Sequence, residues 1–114
     1  MPKPFLEVRP LESPDYYWEP SPGYGPNDGI SQLVIALDKE TGCSTRFMKF
    51  NPGAKATSGT LTHKFWEEVF IIEGSLFCGD KEFPAGTVLI HPPGTPHGPF
   101  HSPNGMLAFE IHYP

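Results

Sequence analysis

The sequence predicts an all-β protein, a sandwich or barrel of about seven or eight short strands. Three observations predict this fold class. The 114 residues include 15 prolines and 12 glycines, which interrupt the chain often. The 9 phenylalanines, 4 tyrosines and 2 tryptophans favour strands over helices. No window has the sustained periodicity of an amphipathic helix, and turn signals separate the apolar segments at short intervals.

The length of the chain indicates a single domain, because 114 residues can bury one hydrophobic core but not two. Residues 1–30 carry many prolines and the aromatic group Tyr16, Tyr17, Trp18 and Tyr24. They are predicted to form an extended arm, which adds an edge strand or lies across a sheet face of this chain or of a neighbouring subunit. Residues 31–114 are predicted to form the β-barrel domain.

The barrel is predicted to begin with a hairpin. Residues 31–37 are apolar and β-branched, and residues 44–50 alternate in polarity, which is typical of strands. The segment DKETG at 38–42 between them has the composition of a turn. After a further turn, a short loose strand is expected over residues 56–62.

The second half of the barrel is predicted to contain four strands, at 67–72, 75–78, 87–91 and 106–113. Gly74 separates the first two of them and indicates a tight turn or a close approach of two backbones. In the first of these strands, alternation places Glu67 on the inner face with Val69 and Ile71, and Glu68 on the outer face.

Composition and charge exclude some classes of function. The net charge is −5, and the 8 Lys and Arg residues are not clustered, so binding to a nucleic-acid backbone is not expected. No apolar run reaches the length of a membrane span, and no signal peptide is recognisable, so we expect a cytoplasmic protein without a membrane partner. Cys43 and Cys78 are expected to be reduced.

Two motifs with fixed spacing lie about twenty residues apart. The first runs from His63 through Glu67 to Gly74, with three and then six residues between them. The second is the segment GTVLIHPPGTPH at 86–97, in which five residues separate Gly86 from Pro92, one residue separates Pro92 from Gly94, and two residues separate Gly94 from His97.

Together these motifs resemble the paired conserved motifs of the cupin family, and the layout is similar to small single-domain cupins of the acetylacetone-cleaving dioxygenase and ChrR-like types. The resemblance covers roughly residues 44–113. It implies a double-stranded β-helix, the jelly-roll barrel, with a site in its interior. For function it implies much less, because cupins include dioxygenases, isomerases, lyases, cyclases and proteins that only bind small molecules.

His63, Glu67 and His97 are the candidate ligands of one divalent metal ion. Two imidazoles and one carboxylate form the facial triad typical of iron(II), and the same set also suits zinc, with manganese or nickel as further possibilities. The family pattern usually has another histidine at the position of Leu61. The sequence leaves open a three-ligand centre, a weakened site, or a pocket without metal.

Phe65, Phe100, His101 and His112 are candidate pocket residues. The two phenylalanines flank the ligand positions and would exclude water or pack in the core. His101 stands where the family pattern commonly has asparagine, so we expect it at the pocket mouth or at the surface. His112 alternates with the apolar residues of the last strand and faces either the pocket or solvent. His91, before two prolines, is interpreted as an exposed turn residue.

The resemblance to small cupins of the acetylacetone-cleaving type implies a metal-dependent dioxygenase, of the iron type, that acts on a small organic substrate bound in the barrel. A non-redox metal enzyme, such as an isomerase, lyase or cyclase, and a non-catalytic binding protein are the alternatives. No basic cluster surrounds the motifs, although Arg46 and Lys49 could reach them from a neighbouring strand. A homodimer is expected, with the arm as one candidate contact surface.

Overall fold

The computed structural model describes residues 2–114, and these residues are almost entirely strand and turn, which confirms the predicted fold class. Within this range the only helix is a 3-10 turn, Pro10–Glu12. The strands are β1 (Glu19–Pro20), β2 (Ile30–Leu37), β3 (Ser44–Phe50), β4 (Ala54–Lys55), β5 (Trp66–Cys78), β6 (Lys81–Pro84), β7 (Val88–His91), β8 (Phe100–Ser102) and β9 (Met106–Tyr113).

All strand pairs are antiparallel, and they form one curled sheet with two faces closed around a common interior. The first part of the sheet has the order β1-β2-β3-β9-β5-β7, and the second consists of β4, β8, β6 and the end of β5. Strand β5 therefore belongs to both parts. This is the jelly-roll arrangement that the sequence predicts.

Strand β5 passes between the two parts of the sheet at a bulge near Gly74. The register with β9 shifts between Ile71 and Glu73, and a bulge of this kind bends a strand. Gly74 has a φ of +72°, and a Cβ atom there would overlap the carbonyl oxygen of Gly105. Gly74 is thus a point of close backbone approach, as predicted, but it lies inside one continuous strand and does not separate two strands.

The predicted bounds of β3 agree with the structure, and the predicted β2, β7 and β9 differ by one residue or less. The strand predicted over residues 56–62 is wrong. The only strand nearby is Ala54–Lys55, which pairs with β8, and residues 56–62 are bends and irregular chain apart from a single bridge between Leu61 and His97.

The N-terminal arm lies on the barrel in two ways. Strand β1 pairs with the edge of β2, with Glu19 opposite Gln32. Upstream, the Nζ atom of Lys3 donates a hydrogen bond to Oγ1 of Thr45 at 3.1 Å, so the beginning of the arm reaches the outer face of β3. Downstream of β1, the chain turns inward to the mouth of the barrel.

The hydrophobic core lies between the two parts of the sheet and is formed by Ile30, Met48, Phe50, Ala54, Ala56, Val69, Ile71, Leu76, Phe100, Met106 and Ala108. Val69 and Ile71 are buried, whereas Phe70 and Ile72 are exposed, so the predicted alternation along β5 is confirmed. Cys43 and Cys78 are free thiols. None of the described residues 2–114 belongs to a helix long and apolar enough to be a membrane span.

Candidate metal centre

Strand register brings the polar residues of the interior into one row. Opposite Glu67 lie His112 on β9 and His91 on β7, and His112 is in turn opposite Ser44 on β3. The next inward-facing row is Arg46, Glu110, Val69 and Leu89, and beyond it the lining becomes apolar. On β3, β5 and β9 these side chains face the interior because they share the parity of buried residues on the same strand.

The carboxylate of Glu67 is the centre of this row, and its two oxygens contact four imidazoles. Its Oε1 atom lies 3.1 Å from Nδ1 of His91 and 3.7 Å from Nε2 of His97. Its Oε2 atom lies 3.0 Å from Nε2 of His112 and 3.3 Å from Nε2 of His63. Burial alone would raise the pKa of Glu67, but hydrogen bonds from His112 and His91 outweigh burial and hold that pKa well below its usual range. Glu67 is therefore ionised.

The predicted ligands His63, Glu67 and His97 come together, and their ligand atoms lie within 4.8 Å of one another. His63 and His97 are on loops, outside the strands, and each is oriented by a backbone carbonyl. Nδ1 of His63 lies 3.3 Å from the oxygen of Phe65, and Nδ1 of His97 lies 3.1 Å from that of Thr95. With Nδ1 donating, the Nε2 atom of each ring is the one available to a metal.

The three residues fit a divalent metal ion. Nε2 of His63 is buried and makes no hydrogen bond among the described residues, because with Nδ1 donating it can only accept, as can the Oε2 atom of Glu67 3.3 Å away. A metal ion is a partner that both of these acceptors could share. Burial lowers the pKa of His97, which keeps that ring neutral, the form that binds metal. An ionised carboxylate with two imidazoles is a donor set for iron(II) or zinc.

Leu61 lies directly beside this group. Its backbone N–H and carbonyl exchange hydrogen bonds of 2.8 and 2.9 Å with His97, and its side chain lines the same cavity. The position where the family pattern has a further histidine is thus on the cavity wall, and an apolar side chain occupies it.

His91 is not the exposed turn residue that the sequence suggested. Its ring is stacked on that of His97, with centroids 4.2 Å apart, and it contacts Glu67 from the opposite strand. Since the carboxylate can only accept, Nδ1 of His91 donates the hydrogen bond. The segment VLIH of β7 contains no polar alternation, but His91 shares the parity of inward-facing Leu89, and this was the available signal.

His112 faces the interior, together with Glu110. Its Nε2 atom lies 3.0 Å from Glu67 and 3.1 Å from Oε1 of Glu110, so one nitrogen is shared by two carboxylates. Burial alone would lower the pKa of His112, but the hydrogen bonds to Glu110 and Glu67 raise it. Burial also raises the pKa of Glu110. Glu67, Glu110 and His112 form a second compact group of possible ligands.

A cavity of about 390 Å³ opens beside these residues. Phe65 and Phe100 both line it, and Phe65 is stacked on His63 with centroids 4.1 Å apart. The remaining wall is largely apolar, with Leu61, Val69, Leu76, Leu89 and Met106. A pocket of this size and lining suits a small organic molecule.

His101 does not line this cavity, and of the two positions that the sequence left open for it, the structure has the one outside the pocket. It lies between Phe100 and Ser102 on β8, both of which are buried, and alternation turns His101 to the opposite face. There its ring stacks on Phe77 with centroids 5.2 Å apart.

The arm contributes part of the cavity wall, through Ser21, Pro22 and Tyr24. The loop that carries them is held by Asp28, whose carboxylate accepts hydrogen bonds from the backbone N–H of Gly25 at 2.8 Å and of Thr57 at 3.0 Å. The hydroxyl of Thr57 donates a third, at 2.8 Å. Burial, with Glu110 and Glu67 nearby, raises the pKa of Tyr24, so its hydroxyl stays protonated.

The chain matches the model of the ChrR cupin-like domain family over residues 11–114. No curated protein matches it. The structure is similar to an RmlC-like cupin from Shewanella frigidimarina, with a TM-score of 0.73 and 18% identity over 100% of this chain and 95% of that chain. An acetylacetone dioxygenase from Acinetobacter johnsonii has a TM-score of 0.72 and 13% identity, over 99% of this chain and 75% of that chain. The polyketide cyclase RemF from Streptomyces resistomycificus has a TM-score of 0.71 and 20% identity, over 96% of this chain and 79% of that chain.

Identities this low show the fold alone, but the family model spans most of the chain. The match agrees with the two motifs and with the jelly-roll topology. The chain therefore belongs to the ChrR cupin-like domain family.

Proposed function

We propose that this protein is a metal-dependent enzyme, a dioxygenase of the iron type, which acts on a small organic molecule bound in the barrel. One observation carries the proposal. The ligand atoms of His63, Glu67 and His97 lie within 4.8 Å of one another on the wall of a cavity of about 390 Å³. A metal held there would be in direct reach of a molecule in the cavity.

The donor set favours iron(II). Two histidines and one carboxylate on one side leave the other positions open for substrate and O2. When bound, iron(II) would supply a Lewis acid and the redox chemistry that O2 requires. Zinc, manganese and nickel are the competing ions.

The chain's own residues would position the ligands and the substrate. His91 and His112 donate to the two oxygens of Glu67, which fixes the orientation of the carboxylate and keeps it ionised. Phe65 and Phe100 would exclude water and present flat apolar surfaces to the substrate. These contacts favour a planar or apolar molecule.

The fold neighbour that cleaves acetylacetone suggests the first substrate to test, a 1,3-diketone. The experiment begins with metal analysis of protein produced with iron, manganese, nickel and zinc available. O2 consumption with acetylacetone and with small aromatic ketones is then measured with the iron-loaded protein. We expect close to one equivalent of metal and substrate-dependent O2 consumption, both lost in His97→Ala and retained in the matched control His101→Ala.

Two results would contradict the proposal. If the purified protein contains less than about a tenth of an equivalent of each metal, the enzyme proposal fails, because the proposed chemistry requires a bound metal. Turnover of the substrate under argon at the same rate would exclude O2 as a reactant and leave a non-redox metal enzyme.

The non-redox enzyme is a second candidate, and the pair of Glu110 and His112 favours it. A buried carboxyl in hydrogen-bond contact with an imidazole, 3.1 Å away, is suited to moving a proton at the cavity wall. The similarity of the fold to a polyketide cyclase is consistent with such chemistry. Turnover of a diketone or polyketide analogue under argon by the zinc-loaded protein, lost in Glu110→Gln, would support this alternative.

A further inference from the structure

We infer that the molecule bound in the barrel is anionic and that Arg46 binds its carboxylate or enolate oxygen. This inference rests on the proposed function, because it assigns a substrate class to the same cavity. It starts from the position of one cation. Among the described residues that line the cavity, Arg46 is the only lysine or arginine.

Arg46 faces the interior because of its register. It shares the inner face of β3 with Ser44 and Met48, both buried, and it lies directly opposite Glu110 on β9. The row beside it contains Ser44, His112 and Glu67. The guanidinium is thus one row away from the candidate metal ligands, on the same wall.

Neutral side chains hold the guanidinium in place. Nη1 donates to Oε1 of Gln32 and Nη2 to Oγ of Ser44, each at 2.6 Å. Gln32 is itself fixed, since its Nε2 donates to Oε1 of Glu19 at 3.0 Å. Both acceptors are buried, which restrains the orientation of the guanidinium before any ligand arrives.

No carboxylate neutralises this charge by direct contact. Within residues 2–114, no ion pair joins Arg46 to an acid, and its Nε atom is buried without a hydrogen-bond partner. Its nearest acid in the register, Glu110, directs Oε1 to His112 instead. Glu110 interacts with this charge only through space, so Arg46 has no direct ion-pair partner, and a bound anionic ligand would supply one.

The net charge of the cavity lining also favours an anionic ligand. Its ionisable groups apart from histidine and tyrosine are Arg46, Glu67 and Glu110. With a divalent metal bound, the lining is net positive whether or not Glu110 is protonated. A monoanion would offset this charge, and its apolar body would lie against Phe65, Phe100 and Leu89.

The competing interpretation is that Arg46 only braces β2 against β3 through Gln32 and Ser44. The two roles differ in what they predict for ligands of equal shape and different charge. The test therefore uses three acids, acetate, benzoate and 2-naphthoate, and their neutral amides. Binding to the zinc-loaded protein is measured by calorimetry, after metal analysis of every sample.

We expect at least one acid to bind about tenfold or more tightly than its amide, and Arg46→Gln to weaken that acid by about tenfold to a hundredfold while leaving the amide unchanged. Arg46→Lys, which keeps the charge, should retain part of the preference. Arg9→Gln is the matched control, because it makes the same change of charge at an exposed residue that pairs with Glu12.

The inference is overturned if no acid binds up to about 10 mM, the range of very weak ligands, if acids and amides bind equally, or if Arg46→Gln with a normal content of zinc keeps the affinity for the acid. If Arg46→Gln does not fold, Arg46→Lys decides, since a bracing role predicts no change in the preference. Metal analysis separates this inference from the proposed function. If the protein takes up no metal when metals are available but still prefers acids through Arg46, the enzyme proposal is refuted and this inference stands.

Discussion

His91 and Glu67 face each other across β7 and β5, and Nδ1 of His91 lies 3.1 Å from Oε1 of Glu67. The same ring is stacked on His97, at an interplanar angle of 11°. His91 therefore contacts two of the three candidate ligands while its own nitrogen is directed at the carboxylate, and its role is to position Glu67.

Replacing His91 by phenylalanine isolates this hydrogen bond. His91→Phe keeps a flat ring over His97 but removes the donor to Glu67, so we expect metal affinity to fall about tenfold to a hundredfold. Competition with a chromophoric chelator measures the affinity, and circular dichroism reports whether the fold is kept. His101→Phe, which changes a histidine outside the cavity, should bind metal like the unmodified protein. Equal affinity of the two variants would show that His91 does not position Glu67.

Leu61→His should strengthen the metal centre. The new imidazole would enter the wall beside His97, whose backbone pairs with residue 61. A fourth protein ligand is expected to lower the dissociation constant for zinc by about tenfold or more. Leu61→Met, which keeps an apolar side chain of similar volume, is the control. If Leu61→His and Leu61→Met bind zinc equally, the side chain of residue 61 does not reach the metal.

Gly74→Ala should be far more destabilising than Gly79→Ala. Both glycines have positive φ, +72° and +60°, so each alanine costs about 1–2 kcal/mol in backbone conformation. A Cβ at residue 79 meets nothing within 4 Å, whereas one at residue 74 overlaps the carbonyl of Gly105. Urea unfolding measures the difference in free energy. A similar loss in both variants would mean that the bulge in β5 can shift to relieve the overlap.

Asp28 should make stability depend on pH in the acidic range. Hydrogen bonds, first that from the backbone of Thr57, hold the pKa of Asp28 below its ordinary value. A lowered pKa in the folded state adds stability above the unfolded-state pKa of about 3.9, and this contribution is lost as pH falls through the folded-state pKa. Asp28→Asn should thus cost more stability near neutral pH than at about pH 3.

Urea unfolding across this range tests the sign of the effect. Asp15→Asn, at an exposed acid of the same arm, is the matched control and should change stability by a similar small amount at every pH. A penalty for Asp28→Asn that does not shrink on acidification would mean that Asp28 does not hold the loop through its charged form.

Much of the fold could be predicted because the barrel follows local rules. The strands β3 and β9 alternate cleanly and end at Pro or Gly turns, so their bounds agree with the structure. The segment 56–62 was predicted wrongly because short apolar and β-branched residues there resemble a strand, while only a bridge to His97 pairs with it. Pairing partners are tertiary information that local composition does not contain.

The residues of the candidate site also fall into those that local motifs predicted and those that depend on tertiary pairing. His63, Glu67 and His97 come together where the motif spacing indicated, although their role as ligands remains a prediction. His91 was missed because the contact with Glu67 depends on the register of two strands, which brings together residues 24 positions apart in the sequence. For His101 the sequence left the pocket mouth and the surface open, and alternation beside the buried Phe100 places it on the opposite face.

Strand β5 carries Glu67 near its beginning and ends in the other part of the sheet, against β6 and β8. Its hydrogen bonds therefore belong to the ladders of both parts of the sheet. Opening of the site by local fraying is disfavoured, and the amide protons around Glu67 should exchange with solvent only when the whole domain unfolds. Binding of a ligand or metal would then slow the exchange of amides in both parts of the sheet, including those far from the cavity.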